Sequence, residues 1–322
     1  MATDPTADID DVLTTVIKKI EGIAENTAYN SRMIDISTVA TQCIAEYEKR
    51  REMARNGKKI GLTTGLSKLD HITGGWKPGQ LIILAARPAM GKTAMLLHFA
   101  KSASIAGIPV VIFSLEMEVQ ALTNRALLSE SEVNSDRFKA GTLSTEEETS
   151  LCQAIGQISC LPISLDDSAN ISMQQIKARA RELRRKGKCG LVLIDYLQLI
   201  DMRSINRSYT REQEVSQCSR AAKIMAKELG VPVILLSQLS RQVEGRSDKM
   251  PLLSDLRESG AIEQDADIVM FIHRPEYYSE KAEKGFGVIR IAKQRDGTTG
   301  DIRFRYNESL TKITDYDKEL PF

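Results

Sequence analysis

Residues 86–93, ARPAMGKT, lie between an apolar run (LIILAA, 81–86) and a helix-forming run from Lys92 whose apolar positions are Ala94, Leu96, Leu97, Phe99 and Ala100. A chain that passes from a buried strand straight into a helix leaves the N–H groups of the loop and first turn without partners. The helix dipole adds positive potential at the same place. That geometry suits a phosphate, so the segment commits the chain to an α/β architecture with a nucleotide site at the strand's carboxyl end. On this reading Ala86, Arg87, Pro88, Ala89, Met90, Gly91, Lys92, Thr93 and Ala94 surround the phosphates. Lys92 meets the β- and γ-phosphates, and the Thr93 hydroxyl holds Mg²⁺. Such loops usually open with glycine where Ala86 stands; alanine is tolerated there if its φ is negative.

The remainder of the chain agrees with that class. Short β-rich runs at 81–86, 110–113, 162–165, 191–195 and 233–237 alternate with helical stretches from Lys92, over 172–186 and over 212–229. This is the signature of βαβ units and a mainly parallel sheet. Three further runs, at 268–272, 288–292 and 302–306, have no long helix between them. They read as added C-terminal strands, antiparallel at one end of the sheet. Ahead of this core, Ile9, Val12, Leu13, Val16, Ile17, Ile20 and Ile23 keep a spacing of three and four, followed by Ile36, Val39, Ala40, Cys43, Ile44 and Tyr47. These are two amphipathic helices that must cover their apolar faces on the core, on another domain or on a neighbouring subunit. The charged segment EKRREMARNGKK reads as a solvated connector ending at Gly57. The expected division is a helical region over 1–56 and an α/β domain over 57–322.

Two carboxylates and an amide stand where catalysis needs them. Asp195 closes the strand LVLID, where it can hold Mg²⁺ through water. Glu116 lies just past VVIFS, at the same sheet edge, and is either a general base for the attacking water or a helix-start carboxylate favoured by the dipole. Gln238 follows VILLS, either as a γ-phosphate sensor or as an ordinary strand-end polar residue.

Charge narrows the partners. Forty-four Lys and Arg against 43 Asp and Glu leave a formal charge of +1, which excludes a uniformly basic nucleic-acid coat but allows a local basic channel. Five cysteines at 43, 152, 160, 189 and 218 show no C-x-x-C spacing, and buried reduced thiols are expected for all five. The acidic N-terminus lacks the features of a signal peptide, and no apolar run is long enough to span a bilayer, so a cytoplasmic location is expected.

Taken together, GLTTGLSKLDHITGGWKPGQLIILAARPAMGKT, FSLEM, LVLIDYLQL, LLSQLSR, DLRESGAIEQDADIV and IAKQRDGTTG, in that order, resemble the replicative DNA helicases of the DnaB type from about residue 60 to 306. Residues 9–56 resemble that family's linker region, and its larger N-terminal collar is absent or mostly missing. The resemblance implies a RecA-like P-loop ATPase core working as a homohexameric ring. Such a ring hydrolyses ATP or other NTPs with Mg²⁺, moves 5′ to 3′ on single-stranded DNA, and meets primase and a loader. It implies Lys92 and Thr93 as the phosphate-loop pair, Glu116 as base, Asp195 as the metal-side acid and Gln238 as sensor. It also implies Arg295 as a finger reaching the neighbour's ATP, with Lys293 beside it; from the residues alone these are alternate polar positions at a strand end. Arg257, Glu258 and Gly260 match the family's DNA-contacting loop; an Arg–Glu surface pair is the alternative for the first two, and the motif's length favours DNA. MRSINRSYTR (202–211) is a second candidate channel loop. A strand-exchange ATPase of the RadA type and a nucleotide- and partner-binding fragment that does not translocate are the alternatives.

Other features read as structural. KARARELRRKGK (177–188) is a solvated helix face opposite a stripe of Met173, Ile176, Ala180 and Leu183. His71, His98 and His273 have no metal-ligand spacing, Trp76 is a packing residue, and DYDKELPF is a frayed tail.

Overall fold

The computed structural model describes residues 35–55, 61–197, 200, 210–246, 248–256, 260–309 and 311–316. The chain divides into two units, residues 1–58 and 59–322. The first has one described helix, α1 (Ile36–Arg55), on which Ile36, Val39, Ile44 and Tyr47 are all exposed. Residues 48–55, expected as connector, instead continue this helix. Glu, Lys, Arg, Met and Ala are strong helix formers, and propensity carries the helix on after the apolar period has stopped. The helix expected from residue 9 lies outside the described residues.

The second unit is organised by β1 (Leu81–Ala86), which pairs in parallel with β5 (Val233–Gln238) on one side and β6 (Ile268–His273) on the other. Parallel pairing extends outward through β4 (Leu191–Asp195) and β2 (Val110–Ser114) to β3 (Ile163–Asp166). Beyond β6 the added strands run antiparallel: β7 (Phe286–Gln294), β8 (Gly300–Asn307) and the short β9 (Lys312–Asp315). The order across the nine-stranded sheet is β3-β2-β4-β5-β1-β6-β7-β8-β9. β9 has no sequence signal, because only Ile313 of its four residues is buried and no alternation shows.

Strand period sets the two halves of the core. Leu81, Ile83 and Ala85 face one layer, with Ile176, Ala180, Cys218, Ala222 and Met225. Ile82, Leu84 and Ala86 face the other, with Trp76, Met95, Phe99 and Phe304. A strand buried on both faces reads as a continuous apolar run, as LIILAA does. The covering helices on the first face include α7 (Met173–Arg185) and α8 (Arg211–Leu229); α3 (Lys92–Ile105) lies on the second. On α7 the stripe Met173, Ile176 and Ala180 is buried, and the basic residues look outward, as expected.

Three helices between β2 and β3 have no counterpart in the sequence reading: α4 (Val119–Ser131), α5 (Ser135–Ala140) and α6 (Thr145–Ser159). They bury little, only Leu122 and Leu128 on α4 and Ala154 on α6, so the periodic signal is weak. The capping box Ser144–Glu147 at the start of α6 is the available sign. This thin packing also corrects the cysteine expectation: Cys152 and Cys160 are exposed, as is Cys43, and only Cys189 and Cys218 are buried. Burial pushes those two thiols up, to about 11 and about 12. Among the described residues no helix is long and apolar enough to cross a membrane.

Near the start of the unit, Leu62 bridges Trp76 antiparallel around α2 (Ser67–Thr73). Gly61 and Gly75 meet so closely there that a Cβ on Gly61 would stand 2.3 Å from the Gly74 carbonyl oxygen. The turn seats Trp76, 1% exposed, edge-on against Phe99 at 5.5 Å between ring centres. Phe99→Ala empties this pocket and should lower stability by about 3–5 kcal/mol. The measurement is denaturant unfolding followed by the fluorescence of Trp76, the single tryptophan of the chain.

Candidate nucleotide site

Because β1, β2, β4 and β5 are parallel, their carboxyl ends open onto one edge of the sheet. That edge carries Arg87–Thr93, Glu116, Asp195 and Gln238. A cleft of about 700 Å³ there is lined by Gly91, Lys92, Thr93, Glu116 and Gln238, among others. Open α/β sheets bind ligands in this position.

The loop is folded for it. Ala86 stays in β1, paired with Gln238, so the glycine usual at this point is not needed. Ala89 adopts φ 63° and Gly91 φ 90°, and α3 begins at Lys92 with no side chain capping its N–H groups. An alanine at positive φ costs on the order of 1 kcal/mol, held in place here by the structure around it. Two buried arginines brace the loop from outside. Arg87 donates to Glu244 at 2.8 Å and to the Leu239 carbonyl at 2.9 Å, so its side chain is directed away from the loop it belongs to. Arg274 donates to the Ala89 carbonyl at 3.3 Å and lies 4.4 Å over the Tyr306 ring.

Lys92 Nζ donates back to the Ala86 carbonyl at 3.3 Å. Burial holds its pKa below the ordinary lysine value, against the pull of Asp195 and Glu116. The Thr93 hydroxyl donates to Asp195 Oδ2 at 2.9 Å, while Asp195 Oδ1 is buried with no hydrogen-bond partner. A hydroxyl and a carboxylate with an unsatisfied oxygen are hard oxygen donors, which fit Mg²⁺. Glu116, exposed in the cleft, lies within a turn in which Ser114 Oγ donates to the Met117 carbonyl at 2.6 Å. The Leu115 N–H donates to the Asp195 carbonyl at 2.6 Å, tying the ends of β2 and β4 together.

Not all expected residues meet here. β7 runs against the parallel strands, and Gln294 pairs with Ile268, at the opposite edge of the sheet. Lys293 and Arg295 are therefore remote from the phosphate loop of their own chain. Lys293 Nζ donates to the Glu263 carbonyl and Arg295 Nη2 to the Gln264 carbonyl, near the end of α9 (Gly260–Asp265). Arg257 and Glu258 lie outside the described residues, as do 202–209 of the second loop and 317–322 of the tail. Gly260 opens α9, and a Cβ there would meet nothing within 4 Å.

Among the cleft residues that escape the sequence reading are Arg125 on α4 and Tyr306, and behind Tyr306 lies the buried Arg274. Tyr306 stands over Gly91, with its ring 3.8 Å from where a Cβ would be. A cation on an unassigned helix and a tyrosine in the last long strand carry no local mark of a site; only the fold brings them in.

Burial raises the Asp195 pKa to about 6 from the ordinary 3.8, opposed by the Thr93 hydrogen bond and the Lys92 charge. Between those values the folded state keeps a proton that the unfolded state has lost. The stability that this group contributes is therefore present below pH 4 and lost as pH rises through about 6. Asp195→Asn should accordingly stabilise the nucleotide-free protein at pH 7.5 by up to about 3 kcal/mol, with the gain vanishing by about pH 4. Urea unfolding at the two pH values checks this.

A family profile described as the DnaB-like helicase C-terminal domain matches residues 61–315. The replicative DNA helicase DnaB of Geobacillus stearothermophilus is 43% identical over 268 residues, covering 83% of this chain and 59% of its own length. The replicative DNA helicase DnaC of Bacillus subtilis is 40% identical over 315 residues, covering 97% of this chain and 68% of its own. Among solved structures, a DnaB-like replicative helicase, studied with its primase interactions, superposes with a TM-score of 0.82 at 36% identity, covering 95% of this chain and 73% of that one. An ATPase domain solved by itself gives 0.82 at 38% identity, covering 87% and 99%. The chain spans between 59% and 68% of the length of the first three curated relatives. On these matches the chain belongs to the DnaB-like helicase C-terminal domain family.

Proposed function

We propose that the chain is the motor unit of a replicative DNA helicase: a homohexameric ring that hydrolyses ATP with Mg²⁺ and moves 5′ to 3′ along single-stranded DNA in the cytoplasm. The observation that carries this reading is the separation of the catalytic groups. The phosphate loop, Glu116, Asp195 and Gln238 share one edge of the sheet, while Lys293 and Arg295 stand at the other. Cations that cannot reach their own phosphate site are suited to completing a neighbour's, and a ring supplies that neighbour to every subunit.

In the proposed reaction, the loop N–H groups and Lys92 hold the triphosphate, and Thr93 with Asp195 hold Mg²⁺. The metal neutralises charge on the transferring phosphoryl group. Glu116 takes a proton from water as the water oxygen bonds to the γ-phosphorus and the bond to the ADP oxygen breaks. Gln238 reads the γ-phosphate, and the neighbour's Arg295, with Lys293, stabilises charge on the moving group. Tyr306, backed by the buried Arg274, offers a flat surface at the cleft wall for the base, and Arg125 is a further cation for the phosphates.

For DNA, Arg257, Glu258 and Gly260 form the proposed contact. A Cβ at Gly260 would meet nothing within 4 Å, so there is room there for a backbone phosphate. Binding is to backbone, insensitive to sequence and weakened by salt. The exposed Ile36, Val39, Ile44 and Tyr47 on α1 favour coverage by an adjacent subunit. A similar helicase was solved with its primase interactions, which supports primase as a partner, with a loader alongside.

Lys92→Ala and Glu116→Gln should each lower DNA-stimulated ATP hydrolysis by about a hundredfold or more. Arg295→Ala should lower it about a thousandfold in rings that still assemble. Mixing Arg295→Ala with Glu116→Gln subunits should recover activity at junctions that join an intact site to an intact arginine. A phosphate-release assay on single and mixed rings, with mass measurement of assembly, decides it. Equal rates for wild type and Lys92→Ala would dismiss the enzymatic reading.

A further inference from the structure

We propose that Asp267 is the positioning residue for Arg295, fixing the root of that arginine to the buried start of β1. The inference rests on the reading of Arg295 as a group that serves the adjoining subunit. Asp267 is 8% exposed and lies in the turn between α9 and β6. It is joined to its surroundings through every polar group it has. Its N–H donates to the Leu81 carbonyl at 2.9 Å, and its Oδ2 accepts the Leu81 N–H at 2.7 Å. The same oxygen accepts Lys223 Nζ at 2.5 Å; that ammonium also donates to the Gly79 carbonyl at 2.9 Å. These contacts fasten Asp267 to the first residue of the central strand and to α8.

The remaining groups face Arg295. The Asp267 carbonyl accepts the Arg295 N–H at 2.9 Å, and Oδ1 lies 3.8 Å from Arg295 Nε. The first contact fixes the backbone of the arginine. The second is an attraction rather than a hydrogen bond, so it orients the guanidinium without locking it. The Arg295 side chain is 46% exposed. The guanidinium is held from the other side by α9, where Arg295 Nη2 donates to the Gln264 carbonyl and Lys293 Nζ to the Glu263 carbonyl. Carbonyls near the end of α9 attract cations. The carboxylate at Nε is the one anionic group contacting Arg295 among the described residues, and with the Gln264 carbonyl it sets where the guanidinium rests.

The role separates from plain structural support through the junction it affects. Asp267→Asn keeps an oxygen to accept the Leu81 N–H and removes the charge that faces Arg295. Because Lys223 is then left buried beside a neutral amide, the double variant Asp267→Asn, Lys223→Met is made as well; it removes the pair together. Both variants should assemble, bind a fluorescent ADP as wild type does and keep the KM for ATP, while kcat falls roughly ten- to hundredfold, the effect of a misplaced catalytic group. Mixing either variant with Glu116→Gln subunits should restore turnover, because the variant then offers an intact phosphate site and its neighbour an intact arginine. Arg295→Ala is run beside them. If Arg295→Ala loses turnover while both Asp267 variants keep it, the proposal is overturned and the reading of Arg295 stands. If Arg295→Ala keeps turnover, that reading falls and the proposal with it. Loss of turnover in the Asp267 variants that mixing does not restore would place the defect in their own site and also overturn the proposal.

Discussion

Parallel pairing of β1 with both β5 and β6 is the constraint on which the rest depends. It buries Leu81–Ala86 completely and so requires helices on both faces. It also aligns the strand ends. Glu116, Asp195 and Gln238 come from segments far apart in sequence, yet they share an edge because β2, β4 and β5 leave the sheet in the direction that β1 does. The reversal of direction at β7 then places Lys293 and Arg295 at the far edge. One change in strand polarity separates the phosphate-loop groups from the two cations proposed to serve a neighbour.

The candidate site is assembled from groups that gain from a ligand. Asp195 is driven toward its protonated form by burial, Lys92 toward its neutral form, and Ala89 holds a left-handed backbone. Asp195 Oδ1 has no hydrogen-bond partner, and the N–H groups at the start of α3 have no side-chain cap. Each is a local cost carried by a well-packed sheet, and a triphosphate with a divalent cation would relieve the charge and hydrogen-bond costs together. Tolerance of such costs depends on the surrounding braces: Arg87 to Glu244 and Leu239, and Arg274 to Ala89.

The strands that carry the catalytic candidates are legible in sequence because strands buried on both faces print themselves as unbroken apolar runs. The phosphate loop is legible because Gly91, Lys92 and Thr93 are consecutive and set by neighbouring elements. Residues placed by the tertiary fold are not. Arg125 sits on a helix with two buried residues, and Tyr306 looks like any aromatic on an outer strand. Residues 48–55 mislead for the opposite reason, since their charge suggests solvent while their propensity makes helix. Asp267 lies within a long motif, yet its partners Leu81 and Lys223 are distant in sequence and no spacing rule joins them.

The fastening of Asp267 to Leu81 has a mechanical meaning. β1 is six residues long, about 20 Å of extended backbone. It is clamped laterally on both sides and is far stiffer along its axis than any loop. Its carboxyl end runs into the phosphate loop, and its amino end is bonded to Asp267, whose carbonyl accepts the Arg295 N–H. On the proposed reading, the strand would act as a push-rod between two active sites of the ring. A tilt imposed at one would reach the other undamped, and compliance would lie at the joints between subunits.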